Sequence, residues 1–332
     1  MIVNPVRHAA RIRIQRTTVY RVQMGRKRCD EAHKHAHCRP TRAPRMGRFG
    51  VILTDRLALA YSRDGQVVRP IDDAVGMVMM TLRGEATSAD GDRGVALLLP
   101  DGRPARGMLV TLAGSRADAL TAWPHRIAAD HALAEGLAVM SLDLPCHGDW
   151  CDGGAGGIDG LAQHVAQGDD PFAAWSDWAL ARIGRAREML PPGPLVLCGV
   201  SRGAYAALRL TLREPSIDAV AALAPVIDWR VLREFEAIRE QPAAAALDLV
   251  PQAAALAGRA VFLAIGAADR RVGTERCLAF AAALWQAEAA HGLAHSAARL
   301  HVVEGHDHAL PDGWRHAGAR FLTGHIGAGG AA

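Results

Sequence analysis

Downstream of residue 46 the chain reads as short apolar runs alternating with amphipathic stretches. Apolar runs at 50–53, 77–82 and 95–99 predict strands. The turn residues Asp90-Gly91-Asp92 and Pro100-Asp101-Gly102 separate the later ones, so the sheet should begin antiparallel. The texture then changes. A buried-type strand is predicted at 107–113, and further strands at 137–144, 194–200, 219–226, 260–265 and 300–303. Helices are predicted at 123–135, 171–190, 204–210, 275–290 and 312–322. Trp175, Trp178, Ala179, Ile183 and Ala186 share one face of the 171–190 helix and read as core. Strands and helices of these lengths in alternation imply an α/β fold, a doubly wound and mainly parallel sheet with helices on both faces.

Two segments interrupt the alternation: a Gly- and Asp-rich loop at 145–170, and an Ala/Leu-rich, helical stretch at 228–258. Insertions at the C-terminal ends of parallel strands cover a site, so both are expected to form a small cap. The organisation expected is a basic, disordered extension over 1–48, a globular domain over 49–326 and a flexible tail over 327–332.

Charge sharpens this division. The net charge is +4, but residues 1–48 hold thirteen of the 38 Lys and Arg against two of the 34 Asp and Glu. The rest of the chain is therefore acidic. The first segment also carries Cys29, His33, His35, His37 and Cys38, in a spacing that matches no familiar zinc pattern. The segment admits a nucleic-acid-binding arm, a transit peptide or a metal site, and against these a disordered extension, or a reading frame whose start lies at Met24 or Met46. The extension is preferred, and neither nucleic acid, metal nor cofactor is an expected partner. No run reaches eighteen uninterrupted apolar residues and no apolar leader opens the chain, so neither a membrane span nor a secretory signal is expected. Six cysteines without paired spacing suit a reducing cytoplasm.

The candidate chemistry centres on Gly199-Val200-Ser201-Arg202-Gly203, between an apolar strand and a helix. A serine that attacks a carbonyl must leave the sheet on a tight turn, and glycines keep that turn free of side chains. Its hydroxyl needs a histidine to take its proton, and the resulting imidazolium needs a carboxylate. Asp269, on the loop after the 260–265 strand, is the expected acid, with Asp228 as alternate. His308, after the last strand, is preferred to His306 as base. The oxyanion donors expected are the N–H groups of Arg202 and of Ser115, the latter on the loop after the 107–113 strand. Arg202, Arg270 and Arg271 lie near this site and would attract an acidic substrate, although surface arginines are as a rule simply solvated.

Residues 75–325 resemble the α/β-hydrolase family, through the Gly-x-Ser-x-Gly turn, the order Ser201, Asp269, His308, and Asp143-Leu144-Pro145-Cys146-His147-Gly148 after its strand. The branch it looks closest to is that of dienelactone hydrolase and the prolyl-oligopeptidase-like enzymes. Ala113-Gly114 stands where many members have His-Gly, and the cysteine nucleophile of dienelactone hydrolase is absent. The resemblance implies a carboxylesterase-like serine hydrolase acting on a small-molecule acyl substrate. A peptidase, a thioesterase or a non-catalytic binding member of the fold are the alternatives.

Overall fold

The structure, a computed structural model, describes residues 78–80, 94–151 and 153–328. The expectations for 1–48, for a strand at 50–53 and for the tail beyond 328 fall outside the described residues.

Eight strands form one sheet in the order β1-β2-β4-β3-β5-β6-β7-β8. They are β1 (Val78–Met80), β2 (Val95–Leu99), β3 (Met108–Leu112), β4 (Ala138–Leu142), β5 (Leu195–Val200), β6 (Ala219–Leu223), β7 (Ala260–Gly266) and β8 (Ala298–Val303). β1 and β2 run antiparallel, as does β2 with β4; every later pairing is parallel. β3 to β7 are apolar almost throughout and buried along nearly their whole length, as strands covered on both faces must be. Their carboxyl ends lie along one edge of the sheet, where the serine, acid and histidine loops emerge.

The helices are α1 (Arg116–Thr121), α2 (Ile127–Ala134), α3 (Gly157–Ala166), α4 (Pro171–Met189), α5 (Arg202–Arg213), α6 (Pro242–Ala245), α7 (Thr274–Ala290) and α8 (Asp312–Ala328). Two depart from expectation. α1 occupies what reads as a loop: Ser115 caps it, accepting from the Asp118 N–H, while the Asp118 carboxylate accepts from the Ser115 N–H. The signal, Ser-x-x-Asp, is present in the sequence. α3 replaces part of the 145–170 loop, because Leu161, Ala162 and Val165 give one apolar face that is buried. The 228–258 stretch is helical only in short pieces: 3-10 turns at Trp229–Val231, Arg233–Ile238 and Val250–Leu256, with α6 between them.

α4 starts at Pro171 behind the Asp170 cap and buries Phe172 and Trp175. Trp178, on the same face by spacing, is only partly buried. Phe172 lies among Trp175, Tyr205 of α5 and Trp229, with ring centroids 4.9 to 6.0 Å apart. All four side chains are fully buried. This cluster ties α4 and the start of the second insertion to the helix that follows Ser201. Among the described residues no helix is long and apolar enough to cross a membrane.

Phe172→Ala is expected to cost about 3–5 kcal/mol, the usual range for emptying a buried aromatic site. Urea unfolding of both proteins checks it, and an unchanged midpoint would contradict this account of the core.

Candidate active site

Ser201 sits between β5 and α5 at φ 56° and ψ −119°, in a backbone region that side chains disfavour. Two glycines make the turn possible. A Cβ on Gly199 would lie 2.3 Å from the Gly203 carbonyl oxygen, and one on Gly203 would lie 2.1 Å from the Leu112 carbonyl oxygen. Gly199 thus lets the turn close on itself, and Gly203 lets α5 rest on the end of β3. The turn is held by the Ser201 N–H, which donates to the Leu223 carbonyl at 2.9 Å.

The structure brings Ser201, His308 and Asp269 together. Ser201 Oγ is 3.1 Å from His308 Nε2, and His308 Nδ1 is 2.9 Å from Asp269 Oδ2. Facing a carboxylate, Nδ1 is the protonated nitrogen, which leaves Nε2 to accept from the serine hydroxyl. Asp269 is 3% exposed. Its other oxygen accepts from the N–H groups of Arg271 and Val272 at 3.0 and 3.1 Å. That turn fixes the acid before the histidine arrives.

The histidine loop is clamped onto the acid loop. Gly266 has no side chain because the His306 and Asp307 carbonyls pass over it; a Cβ there would meet both at 2.3 Å. The His306 carbonyl accepts from the Ala268 N–H at 3.0 Å. His306 therefore contributes backbone to the junction, two residues short of the Ser201 hydroxyl. Asp307 Oδ1 accepts from Arg270 N–H and His308 N–H at 2.9 and 2.8 Å, bridging the loops with one oxygen. This role of Asp307 was not read from the sequence, where the residue is simply a loop aspartate between two histidines.

Asp228, the alternate acid, lies elsewhere in the bonding. Arg230 engages both its oxygens at 2.9 Å, and Arg276 of α7 lies 3.0 Å away. Asp248 joins the same two arginines. Arg271 beside the acid makes a two-pronged pair with Glu234, at 2.7 and 2.8 Å. These ion pairs tether the second insertion to α7 and to the acid loop.

Ser115 is placed differently from its expected role. Its N–H points at Asp118 Oδ2 at 3.3 Å and its Oγ donates to the same oxygen at 2.9 Å, so the group expected to face substrate is engaged in the α1 cap. Arg202 is the first residue of α5, where N–H groups lack partners within the helix.

The Asp143–Gly148 segment turns out to be a joint. The buried Asp143 carboxylate accepts from the N–H of Arg116 at 2.7 Å and of Asp149 at 2.9 Å, and pairs with the Arg116 guanidinium. Burial nonetheless raises its pKa above the ordinary carboxylate value, against the pull of Arg116. His147 Nδ1 donates to the Pro145 carbonyl at 2.8 Å. Burial lowers the His147 pKa, the Pro145 bond opposes that, and the Arg202 charge adds to the lowering.

With this geometry established, comparison with known proteins speaks to the fold. No protein-family model matches the chain, and no curated protein sequence matches it. Solved structures do. TT1662 from Thermus thermophilus is 20% identical, with 76% of this chain covering 98% of that one at a TM-score of 0.58. Dipeptidyl peptidase 4 from Porphyromonas gingivalis is 16% identical, with 75% of this chain covering 35% of that one at 0.55. A cold-adapted esterase from an Arctic intertidal metagenomic library is 17% identical, with 76% of this chain covering 92% of that one at 0.52. The chain has the α/β-hydrolase fold.

The glycine contacts can be checked directly. Gly203→Ala drives a methyl into backbone and is expected to destabilise the protein by about 2 kcal/mol or more. Gly184→Ala, on α4 where a Cβ meets nothing within 4 Å, is expected to stabilise slightly, by up to about 1 kcal/mol. Equal shifts in the two midpoints would count against the clasp.

Proposed function

We propose that this protein is a serine hydrolase that cleaves a carboxylic ester or related acyl bond. The observation that carries the reading is the continuous chain of hydrogen bonds from Ser201 Oγ through His308 to Asp269. In the first step the Ser201 oxygen attacks the carbonyl carbon while its proton passes to His308 Nε2. Asp269 stabilises the imidazolium that forms. The tetrahedral oxyanion is received by the N–H of Arg202. The C–O bond to the leaving alcohol then breaks as His308 returns the proton to that oxygen. A water molecule, deprotonated by the same nitrogen, attacks the acyl-enzyme, releasing the acid and restoring Ser201.

The fold is shared by proteins titled esterase and dipeptidyl peptidase, and fold does not choose among acyl bonds. Peptide or thioester cleavage by the same residues is the second reading. The domain is placed at 49–326, in the cytoplasm, with the 145–170 and 228–258 insertions shaping the substrate pocket and 1–48 dispensable for catalysis.

A screen of acyl esters tests the proposal. Ser201→Ala and His308→Ala are each expected to lower kcat by about four to six orders of magnitude, with the double variant little worse than either. His306→Ala is expected to lower it by about tenfold at most, the scale of a disturbed loop and not of a lost base. The reverse ranking of the two histidines would overturn the assignment of the base.

A further inference from the structure

Arg202 contributes two separable things, a backbone N–H and a side chain. The side chain does not run out into solvent from α5. Leu112 of β3 pairs with Gly199 of β5, and Gly114 and Ser201 each follow two residues beyond that last pair. The Arg202 guanidinium lies against Gly114: a Cβ there would be 2.3 Å from Nη2 and 2.8 Å from Nε. The same position would be 2.8 Å from His147 Cδ2. Guanidinium and imidazole thus meet over the strand end beside the nucleophile, in the space that a glycine leaves.

Among the described residues this cation has no counter-ion. Arginines elsewhere around the site loops are paired: Arg271 with Glu234, Arg116 with Asp143 and Asp149, Arg230 and Arg276 with Asp228 and Asp248. Among the described residues the Arg202 side chain has no hydrogen-bond or ion-pair partner, and its Nε is shielded from solvent without an acceptor. The acid whose charge bears most on it is Asp118. That carboxylate is engaged by the N–H and Oγ of Ser115. The other charge that bears on it is the positive one of Arg271. Arg315, 7% exposed, also has an Nε without partner, and its Nη1 is 3.5 Å from His125 Nδ1. His125 is held below its ordinary pKa by burial first, then by the charges of Arg315, Arg202 and His308, with only Asp118 opposing. A partly buried guanidinium with a shielded, unpartnered Nε is costly, and a planar donor fork beside the nucleophile matches a carboxylate.

We propose that the Arg202 guanidinium receives a carboxylate carried by the substrate close to its scissile bond, making this protein selective for anionic esters over neutral ones. The inference rests on the serine-hydrolase reading and adds the substrate class to it. A carboxylate on the acyl portion and one on the leaving group present the same chemistry to Arg202, and the substrates tested distinguish them.

The test compares kcat/KM, corrected for uncatalysed hydrolysis, for pairs in which a carboxylate is replaced by its methyl ester, with Arg202→Met read on the same pairs. Mono-4-nitrophenyl succinate against its methyl ester places the charge on the acyl side. 4-Acetoxybenzoate against its methyl ester places it on the leaving group. The anionic member of one pair is expected to be preferred by about tenfold or more, the scale of one charge-assisted hydrogen bond. Arg202→Met, which keeps the backbone N–H, is expected to lower that ratio by about tenfold, and Arg202→Lys to restore part of it. In the unaltered protein, succinate is expected to inhibit hydrolysis of a neutral ester competitively while succinamide does not, an arm that needs no variant to fold. Cleavage of neutral esters, with ratios near one that Arg202→Met leaves unchanged and no inhibition by succinate, overturns the anion site and spares the hydrolase reading. Failure to cleave any ester overturns both.

Discussion

The architecture of the site depends on backbone touching backbone at two glycines. Gly203 sets α5 against the carbonyl of Leu112, and Gly199 lets the turn between β5 and α5 close. Only then does Ser201 stand at a left-handed φ of 56° with its hydroxyl clear of the sheet. Such a conformation costs on the order of 1–3 kcal/mol. It is offset by the hydrogen bond to Leu223 and by the burial of α5, whose Tyr205, Ala207 and Leu208 are fully buried. The same contact puts the Arg202 N–H at the free end of the helix and brings its side chain over Gly114.

The acid and base arrive on separate loops, and their alignment is again a matter of backbone. Gly266 lets the chain bearing His306 and Asp307 cross the end of β7, and Asp307 joins the two loops through one carboxylate oxygen. Farther out, paired arginines anchor the second insertion to these loops. Arg202 departs from this pattern: it lies beside the nucleophile and, among the described residues, has no anion.

Much of this was legible in the sequence for physical reasons. Parallel strands buried on both faces are continuous apolar runs, so β3 and β5 to β7 show plainly. Ser201 and Asp269 were legible because each follows such a strand within a few residues of a glycine its loop requires, and His308 because it follows the last strand and Gly305, although β8 is a half-exposed edge strand. The signal for α1 is local, Ser115 capping the helix with Asp118 three residues on, and the same cap takes up the Ser115 N–H expected to face the oxyanion. The 228–258 stretch resisted because 3-10 turns leave no lasting 3.6-residue period and are held by ion pairs that only tertiary structure brings together. The isolation of Arg202 was illegible for the same reason: a missing partner has no local signature, whereas a glycine that must be a glycine does.

The central claim is that Ser201 is a nucleophile primed by His308. The most direct measurement is intact-mass and peptide mapping of the full-length protein after brief exposure to a fluorophosphonate. The account predicts one adduct, on the peptide containing Ser201, whose formation slows sharply in His308→Ala. An unmodified protein, or an adduct on another residue at the same rate, would contradict it.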